Sequence, residues 1–271
     1  VRFDKDINQS EIQASLIDVI GNAEAKTFGS DNQLKITTNY KVDVEGTQVD
    51  EEIQTKMFES LKNVLPGNLS YDEFVNGSED KAIGIMGSSK VGPTIADDIK
   101  KNSFLAIFGS LFVVFVYILL RFRDWQYSLG AVAAVFHDVL VVLGIFSLTY
   151  SFMPFNMEIN QAFIAAVLTV IGYSLNDTVV VFDRIREFRL INKSWEFKKT
   201  VNGALNSTLS RTLNTSFTTL VVLLAIFLFG GESIRGFMFA LIIGVIVGTY
   251  SSVFIATPVM FDTLKKSLKK I

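Results

Sequence analysis

Five apolar runs follow one another between Ser103 and Met260, beginning with "SFLAIFGSLFVVFVYILLR" and "YSLGAVAAVFHDVLVVLGIFSLTY". About twenty apolar residues in a helix cross roughly 30 Å of hydrocarbon. Inside lipid the backbone must satisfy its own hydrogen bonds, and a helix does so within one segment. The runs therefore predict membrane-spanning helices at 103–121, 127–150, 160–182, 211–230 and 234–260. The fold class expected is an α-helical membrane bundle carrying a small α+β domain at its front.

Charge divides the chain at the same place. Residues 1–100 carry a net charge of −8 and residues 101–271 a net of +6. The predicted domains are thus an acidic head, 1–100, and a transmembrane domain, 101–271. Lys and Arg gather in alternate loops: Arg121 and Arg123; Arg184, Arg186, Arg189, Lys193, Lys198 and Lys199; then Lys265, Lys266, Lys269 and Lys270. The opposite short loops, "SFMPFNMEI" and "GGESIRG", hold only Arg235. Basic loops stay on the cytoplasmic side. This predicts a cytoplasmic C-terminus and a head that is periplasmic or otherwise extracytoplasmic. A head outside calls for one more span before Val1, giving a six-helix unit.

Within the head, 10–21 and 48–65 have helical periodicity, and 33–42 and 81–91 read as strands. A ferredoxin-like sandwich is the expected packing. The segment 184–205 reads as a basic amphipathic helix along the cytoplasmic surface, and a segment fixed between two spans is no nucleic-acid binder. The absence of Cys removes thiol chemistry, and a single His removes a multi-histidine metal cluster.

The chemistry concentrates inside the spans. In "GYSLNDTVVVFDRIRE" (172–187), Asn176 and Asp177 interrupt an apolar stretch. Asp177 lies six residues before Asp183, roughly 9 Å at 1.5 Å per residue, and its side chain is too short to reach the interface. A carboxylate at that depth needs a partner or a proton, and marks an ion or proton path. A packing residue bonded to a neighbouring helix is the plainer reading. In "NSTLSRTLNTSFTT" (206–219), Arg211, Thr215, Thr218 and Thr219 share one helical face, with Asn214 beside them. Arg211 suits Asp177 because a guanidinium stays charged and pairs well with carboxylate; an interfacial anchor is the alternative. His137 and Asp138 form a second polar pair in mid-span, either structural or a proton relay. The last span repeats small residues at Ala240, Gly244, Gly248, Ser252 and Ala256, which lets another helix approach closely.

"GYSLNDTVVVFDRIRE", "TLSRTLNTS", "GGESIRGFMFALIIGVIVGTYSSVFIATPV" and "VGP" at 91–93 together resemble the SecF family of protein-export membrane proteins, and equally the SecF half of fused SecDF chains. The resemblance covers the whole membrane part by motif and the head by position and size. It implies the six-helix repeat of the resistance-nodulation-division (RND) superfamily, paired with SecD. It also implies a bacterial inner-membrane setting beside the SecYEG translocon, with YajC and YidC as further neighbours. The work implied is late translocation of unfolded preprotein, driven by the proton or sodium gradient. No cofactor is implied beyond the transported ion. Carried over by motif, Asp177 matches the family's transmembrane aspartate and Arg211 its arginine.

Two other function classes share some of these features. An RND-type exporter of lipids or small molecules has the same ion chemistry, but this head is small for a porter domain. An intramembrane aspartyl protease would use Asp138 and Asp177 around one proton. However, "SLNDT" lacks the Gly-x-Gly-Asp pattern associated with those enzymes, and Arg211 has no role in that reaction.

Overall fold

The computed structural model describes residues 1–44, 48–77 and 83–268, so Lys269 and Lys270 lie outside the described residues. It divides into a head unit, formed mainly by Val1–Lys100, and a membrane unit that takes up most of the rest.

In the head, Asn8 caps α1 (Gln9–Ile20) by accepting from the Ser10 N–H, and Gly21, at φ 71°, ends it. Strands β1 (Ala23–Phe28) and β2 (Ser30–Thr38) pair antiparallel, with Ala25 opposite Ile36. Helix α2 spans Gln48–Leu61, and α3 (Tyr71–Asn76) starts at a capping box between Ser70 and Glu73. Phe3, Leu16, Ile20, Ala25, Leu34, Leu61 and Phe74 close a single core. The expected ferredoxin-like sandwich is reduced, among the described residues, to a two-stranded sheet. Arg2 forms single bridges to Gln33 and to Gly84 in place of two further strands. The strand expected at 81–91 is thus one bridge, with residues 81 and 82 outside the described set. Gly84, at φ 106°, has no room for a Cβ against the Phe74 carbonyl, so only glycine fits there.

On the head's surface Lys41 Nζ and Tyr40 OH both donate to Glu52, each at 2.6 Å. These bonds hold the Glu52 carboxyl down to about 2, from its ordinary 4.5. A carboxyl more acidic in the folded state stabilises above the unfolded value and loses that contribution as pH falls toward the folded one. Head stability should therefore decline from about pH 4.5 toward 2. A Glu52→Gln protein should show a shallower decline in thermal melts, a small effect because the group is exposed.

Among the described residues, five helices of the membrane unit are long and apolar enough to cross a bilayer, by length and composition: 96–122, 125–149, 161–191, 197–229 and 232–266. They are α4 (Pro93–Phe122), α5 (Trp125–Thr149), α6 (Gln161–Ile191), α7 (Phe197–Phe229), and a last span built of α8 (Glu232–Ser251), a π-helical turn (Ser252–Ala256) and α9 (Thr257–Leu268). All five overlap the predicted spans. Arg123, in the left-handed region at φ 65°, separates α4 from α5. Asn160 caps α6 by accepting from the Phe163 N–H.

The segment 184–205, expected as one surface helix, is instead the end of α6, a turn, and the start of α7. Aromatic packing holds that turn: Phe188 and Trp195 sit edge to face at 6.4 Å, and a Cβ on Gly203 would press on the Phe188 ring at 3.1 Å. At the same end Arg121 bonds Asp183 at 2.9 Å, Phe122 stacks on Tyr127, and Phe182 meets both rings edge to face, with centroids 5.0–5.9 Å apart. The basic ends of α4 and α6 are thereby tied together.

Candidate functional site

The membrane unit buries two carboxylates, and each is held by hydroxyls from neighbouring helices. Asp138, on α5, is fully buried. Its Oδ2 accepts from Ser174 Oγ of α6 at 2.5 Å and from Ser251 Oγ of α8 at 2.7 Å, while His137 Nδ1 lies 3.1 Å from Oδ1. Asp177, on α6, is 3% exposed. Its Oδ2 accepts from Ser216 Oγ of α7 at 3.4 Å, and Ser216 in turn meets Thr249 Oγ1 of α8 at 2.6 Å. Ser174 and Asp177 are one helical turn apart, as are Gly248 and Ser251, so four helices share one polar junction.

Close packing of α6 on the last span brings these groups together. A methyl on Gly244 would collide with the Val170 side chain, and one on Gly248 would come within 2.9 Å of Ser174 Cβ. Gly248→Leu should push Ser174 away from Asp138. Such overpacking costs about 1–3 kcal/mol, to be read as a lowered melting temperature in detergent. The π turn begins one residue after Ser251, and Thr257 Oγ1 donates to the Ser252 carbonyl across it.

The expected Asp177–Arg211 ion pair is not formed. Arg211 starts five residues before Ser216 on α7, about 7.5 Å along the helix, and it is exposed. It lines a polar cleft of about 440 Å³ with Val180, Asp183, Arg184, Glu187, Ser207 and Thr208. A guanidinium gains more hydration there than beside a buried carboxylate. The polar face of α7 is also turned from the expected one. Thr208, Thr212 and Ser216 are buried, whereas Thr215, Thr218 and Thr219 donate to carbonyls of their own helix. Asn176 and Asn214 are exposed. No hydrogen bond joins the two carboxylates among the described residues, as an aspartyl-protease pair sharing a proton requires.

Ser174, Ser216, Thr249 and Ser251 were not singled out by the sequence reading. Their signal was available: Ser174 precedes Asp177 by one turn, and "TYSS" (249–252) interrupts the last apolar run.

The family described as protein export membrane protein SecD/SecF, C-terminal, matches residues 73–266. The chain belongs to this SecD/SecF family. Within it, the protein translocase subunit SecF of Rhodothermus marinus is 46% identical over 93% of this chain and 75% of its own length. The SecF subunit of Thermodesulfovibrio yellowstonii is 36% identical over 100% of this chain and 81% of its own. A SecDF subunit from Brucella abortus is 45% identical over 63% of this chain and 22% of its own length. Among solved structures, SecDF in a super-membrane-facing form superimposes with a TM-score of 0.58 at 34% identity, over 68% of this chain and 23% of that one. Family membership and five apolar spans make this a multi-pass membrane protein.

Proposed function

We propose that the chain serves as the SecF component of the Sec protein translocase, promoting late preprotein translocation by letting ions move down their gradient. Relatives named as protein translocase subunits support the translocase role, which is that of a translocation component and not of an enzyme. A relative named SecDF supports SecD as the partner. The observation that carries the ion-coupling part is Asp177. It is a buried carboxylate within a span, held by a single long hydroxyl contact and close to a polar cleft that contains Arg211. Intramembrane carboxylates so placed are typical of proton and cation paths. Thr212, one turn from Ser216, has a buried hydroxyl without a hydrogen-bond partner, leaving polar capacity on that face of α7.

In this reading the basic ends of the spans face the cytoplasm, the head lies outside, and the membrane is the bacterial inner membrane. SecYEG, YajC and YidC are the neighbouring proteins, the head acts on unfolded preprotein, and the cargo ion is a proton or sodium. Inner-membrane vesicles carrying the full translocase test it. Gradient-dependent preprotein release should vanish with a protonophore if the ion is a proton, or with a sodium ionophore alone if it is sodium. Release that depends on this chain but on neither gradient would overturn the reading.

A further inference from the structure

Three contacts run end to end from Asp177 to the backbone of α8. Ser216 Oγ lies 3.4 Å from Asp177 Oδ2 and 2.6 Å from Thr249 Oγ1, and Thr249 Oγ1 lies 2.7 Å from the Val245 carbonyl. Counting hydrogens constrains this chain. A carbonyl only accepts and a hydroxyl has one hydrogen, so Thr249 donates to Val245. The hydrogen between Ser216 and Thr249 must then come from Ser216. That leaves Ser216 only lone pairs to turn toward Asp177. All three contacts are filled at once only when Asp177 carries a proton and donates it.

An ionised Asp177 draws the Ser216 hydrogen to itself. The two hydroxyl oxygens at 2.6 Å are then left facing each other, unless Thr249 turns from Val245 to donate to Ser216. The two protonation states therefore impose opposite hydrogen-bond directions on the same oxygens.

We propose that Ser216 and Thr249 are positioning residues that transmit the protonation state of Asp177 through α7 to α8. This rests on Asp177 being the ion-coupling group. The surroundings suit such a link. A cavity of about 90 Å³, with walls that include Tyr173, Thr219, Leu241 and Val245, lies among α6, α7 and α8. Val245 supplies both part of that wall and the carbonyl that holds Thr249. Two residues past Thr249, Ser251 is anchored to Asp138, and the π turn follows. A turn of Thr249 thus acts between an open space and a fixed point. The titratable or charged groups around Asp177 are Asp138 and His137 on α5, Arg211 on α7, Tyr173 one turn before it on α6, and Asp183 and Arg184 further along α6. Residues 236–261 of the last span carry one titratable group, Tyr250, whose ring lies 6.3 Å from that of His137, and no charged one.

The test is infrared difference spectroscopy on the reconstituted full translocase. It follows the carbonyl stretch of the protonated carboxyl that disappears in Asp177→Asn. In Thr249→Val the Ser216 hydrogen has no second acceptor and serves the ionised state alone. The midpoint of the pH titration should move about one unit toward acid, a tenfold change that matches the loss of one buried hydrogen bond. Thr249→Ser should restore it, and Thr249→Val added to Ser216→Ala should produce no further shift. A midpoint unmoved in Thr249→Val overturns the transmission alone. A parent protein with no such titrating band overturns the ion-coupling reading and this inference together.

Discussion

An Asp177→Asn protein should reach the membrane in normal amounts, pair with its partner subunit, and give no gradient-driven stimulation of export. Asparagine keeps the size of the side chain and still accepts from Ser216, so packing at the junction survives. What it cannot do is exchange a proton or carry a charge. One charge moved across 100 mV contributes about 2.3 kcal/mol, which corresponds to roughly a fifty-fold bias between two arrangements. If Asp177 is the titrating group, as proposed, its removal should forfeit all of that bias while gradient-independent export continues. Export kinetics measured in inverted vesicles, with and without a membrane potential, decide the matter. Stimulation equal to the parent would remove Asp177 from the mechanism.

Asp138→Ala should show the largest loss of stability. The substitution strips the shared acceptor from Ser174, Ser251 and His137 together; Ser251 retains the Gly248 carbonyl and His137 is partly exposed, so Ser174 bears most of the loss. A buried donor left unmet costs about 1–3 kcal/mol, and with the weaker losses at Ser251 and His137 a total on the order of 2–4 kcal/mol is expected. Asp138→Asn, which keeps an acceptor oxygen, should lose less. Denaturant unfolding in micelles measures both. Equal stability of the alanine variant and the parent would show that the three contacts do not anchor α5 to α6 and α8. The two carboxylates thus carry separate expectations: loss of work at Asp177, loss of structure at Asp138.

The spans were legible because composition alone forces them: runs such as "LIIGVIVGTY" leave the backbone no option in lipid but a helix. The extensions of α6 to Ile191 and α7 from Phe197 were not, because polar helix ends are held by tertiary packing of Phe188, Trp195 and Gly203 rather than by periodicity. In the head, α1, β2 and α2 follow their patterns. Strand β1, "AEAKTF", has little β-propensity of its own and forms because β2 pairs with it. The buried carboxylates stood out through their cost in an apolar run. Their partners did not, because a helix carrying hydroxyls at 208, 212, 215, 216, 218 and 219 offers two polar faces about 100° apart. Which one turns inward depends on how α7 docks on α6.

The π turn gives the last span a phase correction. Residues 240, 244, 248, 252, 256, 260 and 264 are all buried, a strict step of four over 24 positions. Four residues of an ideal α-helix advance about 400°, so such a row drifts some 40° per step around the axis. Six steps would carry it about 240° around, well past the opposite side. One extra residue absorbed at Ser252–Ala256 returns about 100° of that drift. The row of small residues is thus matched to an interrupted helix. Forcing that turn into a regular α-helix with every residue kept would rotate Met260 and Leu264 about 100° toward lipid, whereas deleting one residue from it would make the helix regular and leave Gly244, Gly248, Met260 and Leu264 all in place.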